Sequence, residues 1–400
     1  MFCRHGEEFM IPFFILFLLV SFGSVSAVLC TPALPAIQAF FGVSVGSTQL
    51  IITTYLAGYA IGQLPYGPLA NGLGRKKALY IGIFLSIFGS LLCATSSFFG
   101  SFALLVVARF IQALGACVGL KMSFTMVLDV YDSATATRLI SRFLAAFAIM
   151  PGIAAAIGGA LVQWLNWESG FYFLAFFGAV MLIFVSRLPE TSHTRDPNAL
   201  HFRAILANYR AKLKNRRLVL CGFLVGSGTA VIYLFAARAP FIGIELIGMR
   251  PDVFGLLNCI PSFGMLIGCF STAWMMKRLS PFPLLRLGIL TCFGLALAML
   301  LAFTFSRPSI ASLFIPVSLI YIADAWVFTM GSSLGLTTAK NKSNASAVFN
   351  FLNIGSALTA VLLSEWIYPE VPIVLAIAML LLFVIMALLY IPLKKFEASV

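Results

Sequence analysis

Residues 42–77 read GVSVGSTQLIITTYLAGYAIGQLPYGPLANGLGRKK, an apolar segment that ends in a short basic turn. No charged residue occurs between Gly42 and Gly74, and the cations Arg75, Lys76 and Lys77 then follow in a row. A long uncharged helix followed by clustered cations is typical of a membrane span that emerges on the cytoplasmic side. The segment therefore predicts a helix over 45–66 and a cytoplasmic turn after it.

The rest of the chain is equally apolar. Of its 400 residues, 61% are hydrophobic and 10% are charged, whereas a soluble domain carries about 25% charged residues. A span needs roughly 20 apolar residues, and its backbone polar groups must be satisfied internally, which favours helices. The fold class predicted is an all-α integral membrane protein with twelve transmembrane helices. They are expected at 10–35, 45–66, 78–98, 102–127, 139–165, 170–188, 218–240, 252–275, 283–305, 310–337, 345–366 and 370–391.

The distribution of cations predicts the orientation in the membrane. The net charge is +13, and nearly all Lys and Arg residues fall in loops on one side of the predicted spans. Only Arg250 and Arg307 fall on the other side, while Arg109, Lys121 and Arg238 lie inside spans. This bias places both termini in the cytoplasm. The basic excess is therefore interpreted as a topology signal, which excludes a nucleic-acid partner.

One polar segment divides the chain. Residues 189–217 contain seven Lys and Arg residues and the run FRAILANYRAKL, which predicts an amphipathic helix on the inner face. We interpret 189–217 as a linker between an N-terminal six-helix half, 1–188, and a C-terminal six-helix half, 218–400. Two repeated halves around a central site are a common plan among secondary transporters.

The turn GPLANGLGRKK resembles the signature between the second and third helices of the major facilitator superfamily. The preceding helix, STQLIITTYLAGYAIGQLPYGPLA, resembles the bicyclomycin and chloramphenicol resistance branch of drug/proton antiporters. The resemblance implies two pseudo-symmetric six-helix halves, alternating access and a bacterial inner-membrane location. It also implies a monomer that binds a small-molecule substrate and protons in the lipid bilayer, with no cofactor and no metal.

The resemblance further implies a cytosolic latch that stabilises the outward-facing state. Asn71 stands where the family carries an acid, so the charged half of the signature is missing here. The expected latch residues are Gly67, Asn71, Gly74, Arg75, Lys76 and Asp129. In the fifth span, FAIMPGIAAAIGGALVQWL resembles the antiporter helix of the family, with Pro151, Gly152, Gly158 and Gly159 as its expected residues.

Four residues are candidates for proton coupling. Arg109 matches an arginine that the antiporters associate with coupling, although it could also simply bond helix carbonyls. The acid that the family carries in its first span is Val28 here, so Asp324, an isolated acid in the tenth span, is the alternative carboxylate. Lys121 and Arg238 are its candidate counter-charges, and Asp324 could instead be half of a structural ion pair.

A central substrate cavity is expected between the halves, lined by polar and aromatic side chains of several spans. The candidates for its lining are Tyr55, Tyr59, Phe147, Tyr233, Trp326, Asn350 and Asn353.

Three functions fit these features to different degrees. The first is a proton-driven exporter of drug-like or small amphipathic compounds. The second is an importer or facilitator of a nutrient, a siderophore or an amino acid on the same fold. The third, a membrane enzyme or sensor, lacks support because no metalloprotease, phosphate-loop or nucleophile-elbow motif occurs. We therefore expect a transporter, not an enzyme.

The orientation can be tested by reporter fusions. Fusions at Lys212 and Lys395 should report from the cytoplasm, and fusions within 243–250 should report from outside, because the cations are retained on the inner side. A reporter at Lys212 that is active only on the outer face would contradict the predicted orientation.

Overall fold

The computed structural model describes residues 12–192, 202–336, 342–365 and 372–397. Every regular element within these ranges is helical, as the composition predicts, while part of the linker, 193–201, lies outside the described residues. The helices are α1 Phe13–Val28, α2 Leu34–Phe41, α3 Val45–Gly62, α4 Tyr66–Leu73, α5 Arg75–Thr95, α6 Phe102–Ala116, α7 Val118–Val130, α8 Ser133–Trp164, α9 Ser169–Ser186, α10 Phe202–Leu213, α11 Arg216–Pro240, α12 Pro251–Leu257, α13 Cys259–Met275, α14 Pro281–Phe305, α15 Ile310–Leu336, α16 Lys342–Glu365 and α17 Pro372–Lys394.

Eleven segments of the described ranges are long and apolar enough to cross a membrane. They match eleven of the twelve predicted spans, with ends that differ by at most eight residues. The remaining span is α3, an 18-residue helix whose polar side chains Thr48, Gln49 and Thr53 are all buried. Its polarity is thus turned toward the bundle and away from lipid, as a membrane helix requires.

The helices before and after α10 pack mainly among themselves. In the first group α6 lies between α3 and α5, and α1 packs on α7 and α8. In the second group α15 packs on α11, α13 and α14. The two groups meet where α8 packs on α12 and α13, and where α3 packs on α16. We call the end that carries α4 and α10 the linker face and the opposite end, with α2 and α12, the far face.

Small residues bring the two groups into close contact along α8. A Cβ atom on Gly152 would lie 2.9 Å from Cα of Cys259, and one on Gly159 would lie 3.0 Å from the carbonyl carbon of Pro251. Real Cβ atoms do not approach a backbone so closely, so these glycines set the helix spacing. On the far face α2 also packs against α11 and against the π-helical turn Phe241–Leu246 that follows α11.

Arg109 on α6 is fully buried inside the first group of helices. Its Nη1 donates to the carbonyl of Ser26 at 3.0 Å, its Nη2 to the carbonyl of Ala27 at 3.4 Å, and its Nε to the carbonyl of Ile51 at 3.3 Å. The guanidinium therefore ties α1 and α3 to α6 through backbone oxygens.

A second set of contacts completes the environment of Arg109. Nη1 also donates to Oε1 of Gln112 at 2.5 Å, and Nε2 of Gln112 donates to the hydroxyl of Ser90 on α5 at 2.7 Å. The guanidinium carbon lies 4.3 Å from the ring centroid of Tyr55, within cation–π range. One arginine thus links four helices, and no carboxylate among the described residues pairs with it.

We expect Arg109→Lys to lower the apparent melting temperature of the purified protein. A lysine cannot reproduce the planar fork that reaches α1 and α3 together, and each hydrogen bond from a charged donor contributes about 1.5–3 kcal/mol. Arg250→Lys, at an exposed position on the far face, is the matched control and should leave the melting temperature unchanged. If Arg109→Lys abolishes transport at full thermal stability, Arg109 acts in coupling and not in holding the helices.

Candidate functional site

The expected latch residues cluster on the linker face. Nε of Arg75 lies 3.0 Å from Oδ2 of Asp129 in an ion pair, and its Nη1 donates to Oδ1 of Asn71 at 2.8 Å. Nζ of Lys76 donates to the carbonyl of Ser186 at the end of α9, at 2.7 Å. The start of α5 is thereby joined to the ends of α4, α7 and α9.

Glu190 and Thr191 complete this cluster, and the sequence analysis did not identify them. Oε1 and Oε2 of Glu190 accept from the backbone amides of Arg75 and Lys76 at 2.9 and 3.1 Å, which caps the start of α5. Thr191 donates to Oδ2 of Asp129 at 3.0 Å. In the sequence, Glu190 is visible only as an acid shortly after the sixth span. It lies more than 100 residues along the chain from α5, the helix that it caps.

Gly74, between α4 and α5, needs to be glycine for two reasons. Its φ is 100°, a region that side chains rarely adopt, and a Cβ there would lie 2.5 Å from Oε2 of Glu190. Gly67, the other expected glycine, lies beside the amine of Lys121. A Cβ atom added at position 67 would be 3.1 Å from Nζ of Lys121.

Lys121 and Arg238 are not paired with Asp324 within the described part of the chain, which corrects the expectation that they are its counter-charges. Nζ of Lys121 donates to the carbonyl of Gln63 at the end of α3, at 2.7 Å. Nη2 of Arg238 donates to the carbonyl of Ser364 at the end of α16. Both cations therefore bond the carbonyl ends of helices, where the helix dipole favours positive charge.

Asp324 lies on α15, 1% exposed, and neither carboxylate oxygen has a hydrogen-bond partner among the described residues. It abuts Gly228 of α11 so closely that a Cβ at position 228 would overlap the carboxylate. The titratable groups within electrostatic range are the thiols of Cys269 on α13 and Cys292 on α14, together with Tyr321 on α15. No cation is bonded to it in the described ranges.

Three of the expected cavity residues come together between the halves. The rings of Tyr55 and Tyr59 on α3 stack with centroids 6.1 Å apart, and the hydroxyl of Tyr55 donates to the carbonyl of Gly23 at 2.8 Å. Tyr233, on α11 of the other half, lies close enough to interact electrostatically with the hydroxyl groups of both Tyr55 and Tyr59. Tyr321, which the sequence analysis did not name, lies close enough to Tyr233 to interact with it in the same way. We call these four residues the tyrosine cluster.

The other expected cavity residues lie elsewhere. The indole nitrogen of Trp326 donates to the hydroxyl of Ser271 at 2.8 Å and so fastens α15 to α13. Asn350 contacts Ser346 within α16 at 3.5 Å, and Asn353 is buried on α16 with no described partner for Oδ1. Phe147 packs against the core from α8.

The expected residues of α8 line its contacts with neighbouring backbones. Pro151 lies inside the helix, and Gly152 and Gly159 face α13 and α12 as described above. A Cβ on Gly158 would lie 2.9 Å from the carbonyl carbon of Leu29 at the end of α1. The described residues contain no group of three side chains suited to hold a metal.

The sequence of residues 13–353 matches the model of the Major Facilitator Superfamily. The MFS-type transporter YdgK of Bacillus subtilis is 28% identical over 351 residues, which cover 87% of this chain and 86% of the relative. Multidrug resistance protein D of Escherichia coli is 24% identical over 319 residues, which cover 80% and 79%. A bicyclomycin resistance protein homolog of Haemophilus influenzae is 22% identical over 261 residues, which cover 64% of each chain.

Solved structures with the same fold include a D-xylose-proton symporter, with a TM-score of 0.69 at 15% identity over 94% of this chain and 96% of that chain. The partially occluded inward-open conformation of the xylose transporter XylE from Escherichia coli has a TM-score of 0.70 at 16% identity, over 94% and 97%. At such identities the likeness is one of fold alone. Because the family model covers most of the sequence, the chain belongs to the Major Facilitator Superfamily and is a multi-pass membrane transporter, not an enzyme.

Proposed function

We propose that the protein exports small amphipathic or drug-like compounds across the cytoplasmic membrane by alternating access, in exchange for protons. The linker face is the cytoplasmic face in this proposal, because the loops of that face carry most of the cations. Relatives named for multidrug and bicyclomycin resistance support the substrate class. The tyrosine cluster supports it as well, since aromatic rings from both halves suit flat apolar solutes.

Asp324 is the observation that carries the proton-coupling part of the proposal. Within the described ranges it is the one acidic side chain that is buried, and no cation compensates it. An ionised carboxylate buried without a partner is strongly unfavourable, and protonation removes that cost. Asp324 therefore holds a proton while it abuts Gly228, and it releases the proton when the helices separate and water reaches it.

Everted vesicles from cells that express the protein provide the test. Addition of a substrate drug should release protons from vesicles with the parent protein, and Asp324→Asn, which fixes a neutral side chain, should abolish this release. Substrate exchange without a proton gradient should persist, because exchange needs no protonation cycle. Asp252→Asn, the same substitution at a partly exposed acid on the far face, is the control and should behave like the parent.

The possible results separate the candidate functions. Proton-driven accumulation at the parental rate in Asp324→Asn would show that Asp324 is structural. Uptake of a nutrient, a siderophore or an amino acid into intact cells, without drug-induced proton release, would favour the importer or facilitator instead.

The cluster around Arg75, Asp129 and Glu190 acts in this proposal as a latch on the linker face. It fixes α4 and α5 relative to α7 and α9, and α4 packs in turn against α16 of the other half. Loosening the cluster should therefore open the linker face.

Glu190→Ala removes the cap of α5, at a cost of about 1 kcal/mol, and should increase the labelling rate of a cysteine placed at Leu64. Glu168→Ala is the matched control, because Glu168 precedes α9 without a capping hydrogen bond. Equal labelling rates in the two variants would contradict a latch.

A further inference from the structure

Helix α10 and the residues that join it to α11 are strongly basic. Residues 202–217 contain no acid and six cations, namely Arg203, Arg210, Lys212, Lys214, Arg216 and Arg217. The ion pairs found among the described residues do not involve Arg210, Lys212, Lys214, Arg216 or Arg217. The segment therefore carries an uncompensated positive charge on the linker face.

One side of α10 is bound to the protein. Tyr209 is buried, and its hydroxyl donates to the carbonyl of Leu64 at the end of α3, at 2.9 Å. Burial raises the pKa of Tyr209 above its ordinary value, which keeps the hydroxyl protonated as a donor. The helix also packs on α16 and α11, so it contacts both halves and has a fixed orientation.

Beside the buried Tyr209, α10 exposes leucines together with cations. Leu206 and Leu213 are 46% and 48% exposed, and Arg210 and Lys214 are exposed between and beside them. Positions 206, 210 and 213 follow the spacing of one helix face, and Lys214 immediately follows the end of α10. We call these four residues the α10 stripe. An amphipathic helix of this kind lies in the membrane interface, with its leucines in the acyl boundary and its cations at the phosphates.

We propose that the α10 stripe binds the headgroups of anionic phospholipids in the cytoplasmic leaflet. The charge complementarity selects anionic over zwitterionic headgroups, and the exposed leucines select a lipid surface over free phosphate or a soluble polyanion. The proposal rests on the cytoplasmic placement of the linker face. It also implies that a bound headgroup holds the helix that joins Leu64 of one half to α16 of the other.

The test uses the full-length protein reconstituted in phosphatidylcholine with a minority of spin-labelled phosphatidylglycerol or spin-labelled phosphatidylcholine. The fraction of immobilised spin label gives the preference for the anionic lipid. In Arg210→Gln/Lys214→Gln this preference should fall about fivefold for each cation removed, since one cation near the surface contributes about 1 kcal/mol. High salt should weaken the preference of the parent protein.

Lys394→Gln/Lys395→Gln is the matched control. It removes two exposed cations from the same face of the membrane, at the end of the span α17 and not on an amphipathic linker helix. The preference of this variant for phosphatidylglycerol over phosphatidylcholine should stay within twofold of that of the parent protein. Equal losses in the two double variants would overturn the α10 stripe in favour of a diffuse surface charge.

A second variant tests the leucines. Leu206→Ser/Leu213→Ser keeps every cation and should reduce immobilisation of both lipids, because the apolar contact with the acyl boundary is lost. Unchanged immobilisation of both lipids in this variant would also overturn the proposal. Neither measurement requires transport, so a failure here is distinguishable from a failure of the proton-coupled export, which the vesicle assay measures.

Discussion

A guanidinium inside a membrane span must find enough acceptors to offset its burial, and Arg109 finds them in backbone carbonyls of α1 and α3 and in the side chain of Gln112. Charged residues at the centre of a span cost about 2.5–3.5 kcal/mol even on insertion scales. The three helices therefore have to stand at fixed distances and rotations around the arginine. That constraint places Tyr55 against the guanidinium, and Tyr59 stacks on Tyr55 one turn further along α3.

The buried charged groups Arg109 and Asp324 have opposite environments. In the first half the charge of Arg109 is saturated by hydrogen bonds to backbone carbonyls and to Gln112. In the second half Asp324 has no bonded partner among the described residues and abuts bare backbone at Gly228. A saturated charge resists movement, whereas an uncompensated one changes its free energy when its surroundings change. This difference favours Asp324, in the second half, as the group whose protonation changes when the helices move.

Much of the fold could be predicted from the sequence, because runs of apolar residues and the positions of cations depend on local composition. The twelve spans and the basic linker were predicted in this way, whereas the family was predicted from the resemblance of the turn GPLANGLGRKK to a family signature. The family is confirmed, and eleven of the twelve predicted spans match helical segments long and apolar enough to cross a membrane. Partners were harder to predict. Lys121 and Arg238 were expected near Asp324, yet each bonds a helix-end carbonyl, an acceptor that every helix end offers and that no pattern of side chains reveals. Glu190 was missed because a capping carboxylate is identified by what it approaches in space, and Arg75 is remote in sequence.

The contact between Gly228 and Asp324 has a mechanical consequence. With no side chain at position 228, the carboxyl group touches the surface of α11 itself, and no soft spacer absorbs small displacements of that helix. A widening of the gap between α11 and α15 by the diameter of one water molecule would therefore act on the acid directly. In the proposed exchange cycle, the distance between these two helices would therefore set whether the Asp324 carboxyl group is neutral or charged.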